Sequence, residues 1–91
     1  MTVAKRWNVD IFIDEHDEER RTYAEARLHT GDRPQLCGTG WAHRHPRDRE
    51  VPEIGDELAA ARALSELSHR LLSAAVEDIE EVNADRVRLA G

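Results

Sequence analysis

From Asp56 the chain runs to Gly91 with no proline or further glycine between them, and Ala, Leu, Glu and Arg dominate the stretch. These are strong helix formers, and nothing in the run breaks them. Leu64, Leu67, Leu71, Ala75, Ile79 and Val82 recur at steps of three or four, the spacing of one helical face. Asp56 stands where an N-cap is wanted, and Glu57 in the first turn suits the positive end of the helix dipole. Gly55 frees the backbone just before that start. The spacing predicts one long helix over residues 56–82. In a chain of 91 residues, that leaves room for one domain and one modest core.

The first half reads as strands. Trp7, Val9, Ile11 and Ile13 alternate with Arg6, Asn8, Asp10, Phe12 and Asp14, a period of two. In a second run Ala24, Ala26 and Leu28 alternate with Arg21, Tyr23, Glu25, Arg27 and His29. In a third, Leu36, Gly38, Gly40 and Ala42 alternate with Cys37, Thr39, Trp41 and His43. The strands are expected over residues 4–14, 20–30 and 35–45, divided by the polar run 15–19 and the turn cluster Gly31-Asp32-Arg33-Pro34. Connections this short pair strands antiparallel. The expected fold is α+β, a three-stranded antiparallel meander packed on one long C-terminal helix. The small residues of the second and third strands form the floor on which the helix rests.

A helix over 56–82 is about 40 Å long at 1.5 Å per residue, and nine-residue strands span about 30 Å. The overhang still carries apolar side chains. Either Val87-Arg88-Leu89 folds back as a short second helix, or another subunit supplies cover. A homodimer is expected, with Leu72, Val76, Ile79 and Val82 at its interface.

The net charge of −6 is unevenly placed. Residues 1–49 carry nine Lys/Arg and nine acids, and residues 50–91 carry four Arg against ten acids. The helical half is therefore ill suited to phosphates. No apolar run approaches the roughly 18 residues of a membrane span. No signal-peptide pattern is present, and the single Cys37 leaves no internal disulfide, so a reducing cytoplasm is expected.

Chemistry is sparse. His43 and His45 share a strand side with Cys37, but nothing completes a three- or four-ligand zinc set, so no metal is expected. Cys37 lacks a neighbouring base in sequence, Cys37-Gly38-Thr39-Gly40 is not a phosphate loop, and the acids at 14–19 lack the calcium-loop spacing. No cofactor is implied, and the chain reads as a non-enzyme. In the helix, Arg62 finds a structural partner in Glu66 four residues on, and His69 is solvated. The outer sheet face is more suggestive. Phe12, Tyr23 and Trp41 stand there with Arg6, Arg27 and His43, and the following link adds Arg44, His45, Arg47 and Arg49. Aromatics interleaved with arginine can stack bases and hold phosphates. The plainer reading is that the aromatics form a dimer interface or, separated by strand twist, simply cover apolar surface.

The run Ala42-His43-Arg44-His45-Pro46-Arg47-Asp48-Arg49-Glu50-Val51-Pro52-Glu53-Ile54-Gly55-Asp56-Glu57-Leu58-Ala59, followed by Arg62-Ala63-Leu64, resembles a family of small actinobacterial proteins of unknown function. The family pattern is an Asn/His-Pro-x-Asp step before Val-Pro-x-Ile-Gly-Asp-Glu-Leu-Ala and Arg-Ala-Leu. The resemblance covers essentially the whole chain and implies the sheet-plus-helix fold. It also implies a link to hypoxia or dormancy, and a likeness to part of the fold of ribosome hibernation factors. This chain departs from those factors in having no helix between its first two strands and an acidic helical half. The resemblance brings no catalytic residues. Two readings follow: a dimeric, non-enzymatic, stress-associated protein-interaction module, and an RNA- or ribosome-binding factor.

Overall fold

A computed structural model describes residues 2–31, 35–47, 49 and 51–90, with side chains to Arg86. Residues 32–34 of the expected turn, and Asp48 and Glu50 of the link, lie outside the described residues. Strand β1 spans Asn8–His16, β2 Arg21–His29 and β3 Leu36–His43, and helix α1 spans Pro52–Ala90. The sheet order is β1-β2-β3 with both pairs antiparallel. The architecture is the expected α+β meander with one long C-terminal helix.

Register fixes the faces. Ile11 lies opposite Ala26 and Ile13 opposite Ala24, while Ala24 faces Gly40 and Ala26 faces Gly38. The period-two rows of the sequence therefore form one continuous inner face. On it α1 lies over β3 and β2 and barely reaches β1. The core is Ala24, Ala26, Leu28 and Ala42 from the sheet against Ala59, Ala63 and Leu67 from the helix, with Leu36 and Leu71 at its margin. At Gly38 and Gly40 no side chain of the sheet separates the layers, and the helix backbone rests almost directly on β3. Arg62 locks this arrangement, its Nη1 donating to the Trp41 carbonyl at 2.6 Å.

Several boundaries differ from expectation. Strand β1 starts later than residue 4 and continues through His16, and Asp17–Glu19 form a single 3-10 turn. The helix begins at Pro52 rather than at Asp56. Proline suits a first helical position, because its missing N–H has no partner there and its φ is already helical. Asp56 is consequently no N-cap, and Gly55 lies within the helix. At the far end the helix is continuous to Ala90, so Val87-Arg88-Leu89 extends it instead of folding back. The buried face is also rotated from the expected stripe: Leu67 is buried and Leu71 lies at the core margin as expected, but Ala59 and Ala63 take the rest of the contact, whereas Leu64, Ile79 and Val82 are exposed. Alanines win the contact because only small side chains admit so close an approach. Arg62 turns to the sheet, and Glu66 pairs with Arg70 instead, at 3.0 Å.

Candidate functional site

The outer face gathers part of the expected aromatic–arginine set. Tyr23 lies opposite Trp41 with ring centroids 4.9 Å apart, and His16 approaches the same indole at 6.0 Å. The Arg21 guanidinium stands 5.1 Å over the Trp41 ring, a cation–π contact. Phe12 lies opposite Glu25, one pleat away from the Asp14 that faces Tyr23. Arg27 is engaged by Glu25 at 2.7 Å, and Tyr23 donates to the same carboxylate at 3.3 Å. The hydrogen bond from Arg27 holds the Glu25 carboxyl below its usual range. Burial, followed by the Glu25 charge, pushes the Tyr23 hydroxyl up. Asp10 and Asp14 share this face, pairing with His29 at 2.8 Å and His16 at 3.3 Å. The face thus interleaves acids with arginines and histidines, with the Arg27–Glu25 ion pair at its centre. Arg6 precedes β1, and His43 ends β3 beside Arg21. Arg44, His45, Arg47 and Arg49 lie in the link beyond the sheet, where the Arg47 N–H donates to His45 Nδ1 at 3.1 Å.

The inner face of β1 is the second surface. Val9, Ile11 and Ile13 point to the helix side yet remain 42%, 42% and 39% exposed, while Ala24 and Ala26 beside them are fully buried. An α-helix is about 10 Å across and strands are about 4.8 Å apart, so one helix covers two strands well and leaves the third bare. Arg62 marks the helix flank that overlies β3. At about 100° per residue, Leu64 projects from the opposite flank, toward β1, with Leu71, Ala75 and Val82 following in line. The bare strand and the Leu64 and Leu71 part of this flank form the floor and wall of an open apolar trough, and Ala75 and Val82 continue the flank beyond the sheet. Of the expected dimer residues, Val82 belongs to the flank and Ile79 and Leu72 lie near its crest. Val76 turns further away. All four are exposed.

The third surface is the end of the sheet where β1 turns into β2 and the chain enters α1. The Arg44 N–H donates to the Arg20 carbonyl at 2.8 Å, tying the β1–β2 connection to the end of β3. Glu15, on the inner side of β1, meets Asp56 of the helix. A hydrogen bond to Asp56, followed by its charge, raises the Glu15 carboxyl above its ordinary value. One oxygen of Asp56, Oδ1, is buried without a hydrogen-bond partner. Arg20, Arg21, Arg44 and Arg49 ring a cavity of about 350 Å³ at this end.

Among the described residues no group of three or more His, Cys, Asp or Glu is placed to hold a metal ion. Cys37 is a half-buried free thiol beside Glu25 and Arg27. Among the described residues no helix is long and apolar enough to cross a membrane. Sequence reasoning missed the bare row on β1, the Glu15–Asp56 pair and the part played by Arg20 and Arg21. The first had a usable signal, since Val9, Ile11 and Ile13 are too bulky to share the alanine and glycine floor. The others depend on contacts between distant segments.

Comparison with other proteins places the fold. The uncharacterised protein Mb1767 of Mycobacterium bovis is 51% identical over 87 residues, covering 96% of this chain and 89% of that protein. The uncharacterised protein Rv2632c of Mycobacterium tuberculosis is 49% identical over 78 residues, covering 86% of this chain and 81% of that one. A crystal structure of Rv2632c superposes with a TM-score of 0.78 at 47% identity, covering 89% of this chain and 93% of that chain. These relatives carry no assigned activity. The profile of the Rv2632c-like family matches residues 5–88, and the chain belongs to that family.

Proposed function

We propose that this protein is a non-enzymatic interaction module that pairs with a second copy of itself through the apolar trough. The observation that carries the reading is the half-exposed row Val9, Ile11 and Ile13 beside the uncovered flank of α1. Each copy has a strand without a helix above it and a helix stretch without cover. A second copy brings both deficits at once, so a two-fold arrangement can relieve them reciprocally. The charges are compatible: Lys5 and Arg6 lead into β1, while the distal helix carries Glu77, Asp78, Glu80 and Glu81. A stable interface removes about 1,200–2,000 Å² from water, which an extended trough with a helix along its length can supply.

Sedimentation equilibrium of the wild type and of Ile11→Asp tests this. The expected result is twice the 10.4 kDa chain mass for the wild type. The variant should be a monomer that still melts cooperatively, because Ile11 is half-exposed in the isolated chain. A monomeric wild type at micromolar concentration, or a variant that stays dimeric, overturns the reading.

RNA or ribosome binding across the outer face is the second reading. The Arg21–Trp41–Tyr23 cluster favours it, as exposed aromatics beside arginine can accept bases. Asp10, Asp14 and the Glu25 clamp on Arg27 weigh against it, because phosphates need unopposed cations. Salt-sensitive co-elution with small ribosomal subunits that is lost in Trp41→Ala would make it the leading reading.

A further inference from the structure

The cavity at the β1–β2 end of the sheet is a separate feature, and it does not depend on self-association. Its volume of about 350 Å³ falls in the range of small-molecule sites, roughly 300–1,000 Å³. One wall is apolar, built by Val51, Ile54 and Leu58 where the chain enters α1. These side chains are partly exposed at the start of a helix whose burial begins at Ala59. The opposite rim is basic, with Arg20, Arg21, Arg44 and Arg49 against two lining acids, Glu15 and Asp17. That is a local excess of positive charge in a chain of net charge −6.

The frame is fixed before any ligand arrives. The Arg20 N–H donates to the Asp17 carbonyl at 3.1 Å, the Arg44 N–H to the Arg20 carbonyl at 2.8 Å, and the Ile54 N–H to the Val51 carbonyl at 3.1 Å. The Arg20–Arg44 side and the entry to α1 are therefore held by backbone hydrogen bonds, and ligand binding need not order those parts. Arg21 already leans on Trp41 and Glu19, so it contributes field more than contact.

We propose that this cavity binds a small organic anion, a phosphate or carboxylate group on an apolar body, with Arg20 and Arg49 facing the anionic group and Ile54 and Leu58 the body. An apolar wall facing a guanidinium rim suits such an amphiphile. A bare inorganic anion leaves the apolar wall wet, and a neutral apolar molecule makes no use of the positive field of the rim.

The test is an NMR titration of the labelled protein with phenyl phosphate, with benzoate, inorganic phosphate and benzyl alcohol as separate arms. Saturable shifts confined to residues 15–22, 42–44 and 49–58 are expected with phenyl phosphate or benzoate. Binding of the better of these two should be at least about tenfold tighter than of inorganic phosphate or benzyl alcohol. Comparing the two organic anions then tells phosphate from carboxylate. Arg49→Ala and Ile54→Ser, both at exposed positions, should each weaken binding about tenfold with the fold intact by circular dichroism. Non-saturating shifts overturn the proposal. So does equal affinity for inorganic phosphate, which reports a counterion effect, or binding indifferent to both substitutions.

Discussion

A Cβ placed on Gly38 would stand 2.3 Å from the Ala63 carbonyl oxygen and 2.4 Å from the Leu67 nitrogen. On Gly40 it would meet the Ala63 nitrogen at 2.5 Å and the Ala59 oxygen at 2.6 Å. The obstacles are helix backbone, which cannot rotate aside. Gly38→Ala should therefore push α1 off the sheet and cost about 3 kcal/mol or more, at the upper end of overpacking penalties. Urea denaturation checks this, and a loss under about 1 kcal/mol would show that the helix can shift cheaply. Glu15 makes a second residue-scale prediction. Its carboxyl is raised by the hydrogen bond to Asp56 and by the charges of Asp56, Asp17 and Glu53. A carboxyl that holds its proton more tightly when folded stabilises the fold below its ordinary value of 4.5, and that contribution is lost as pH rises through the folded value. Glu15→Gln should thus raise Tm at pH 7 and gain little at pH 4, as read by calorimetry at the two pH values. Equal Tm values at pH 7 would mean that the carboxylates do not repel in solution. The glycines of β3 were legible as a small-residue floor from alternation alone. The Glu15–Asp56 meeting was not, because it joins the end of β1 to a helix much later in the chain.

At the scale of elements, α1 is the outlier. Its 39 residues make a rod of about 58 Å over strands of about 30 Å, so close to half of it has no sheet beneath. Most helical stability in a protein comes from packing an apolar face, which the uncovered half lacks. Amides beyond about residue 74 should exchange rapidly in a monomeric Ile11→Asp variant and be protected at least about tenfold in the wild type, if self-association covers them. Hydrogen exchange followed by mass spectrometry reads this directly, and equal exchange in the two proteins would detach the distal helix from the interface. A chain ending at Ser73 should keep a cooperative melt, since Ala59, Ala63, Leu67 and Leu71 all precede the cut. The existence of the helix was plain from composition and spacing, but both of its ends were misplaced. The start is expected at Asp56, just after Gly55, although proline suits a first helical position and Gly55 is tolerated close behind it. Past Val82 the apolar periodicity fades, while helix formers continue to Ala90.

As a whole the molecule measures 64 × 31 × 18 Å, a small sheet with a protruding rod, and its acid excess is concentrated on the rod. That shape exposes two unfinished surfaces, the β1 trough and the distal helix. Self-association through them should be driven by apolar burial and so persist at raised salt, whereas binding of an anion at the Arg20–Arg49 rim should weaken. Light scattering and the phenyl phosphate titration at two salt concentrations separate the two effects. The sequence by itself determined the three strands, which side chains share each face, and one long helix. Those features arise from periods of two and 3.6 and from the placing of breakers, all of them local. Only the tertiary structure decided that α1 covers β2 and β3, that β1 is left bare, and that Arg20, Arg44 and Arg49 gather at one end. The reason is width and closeness of fit: one helix can roof two of three strands, and it settles where glycine and alanine let its backbone come nearest.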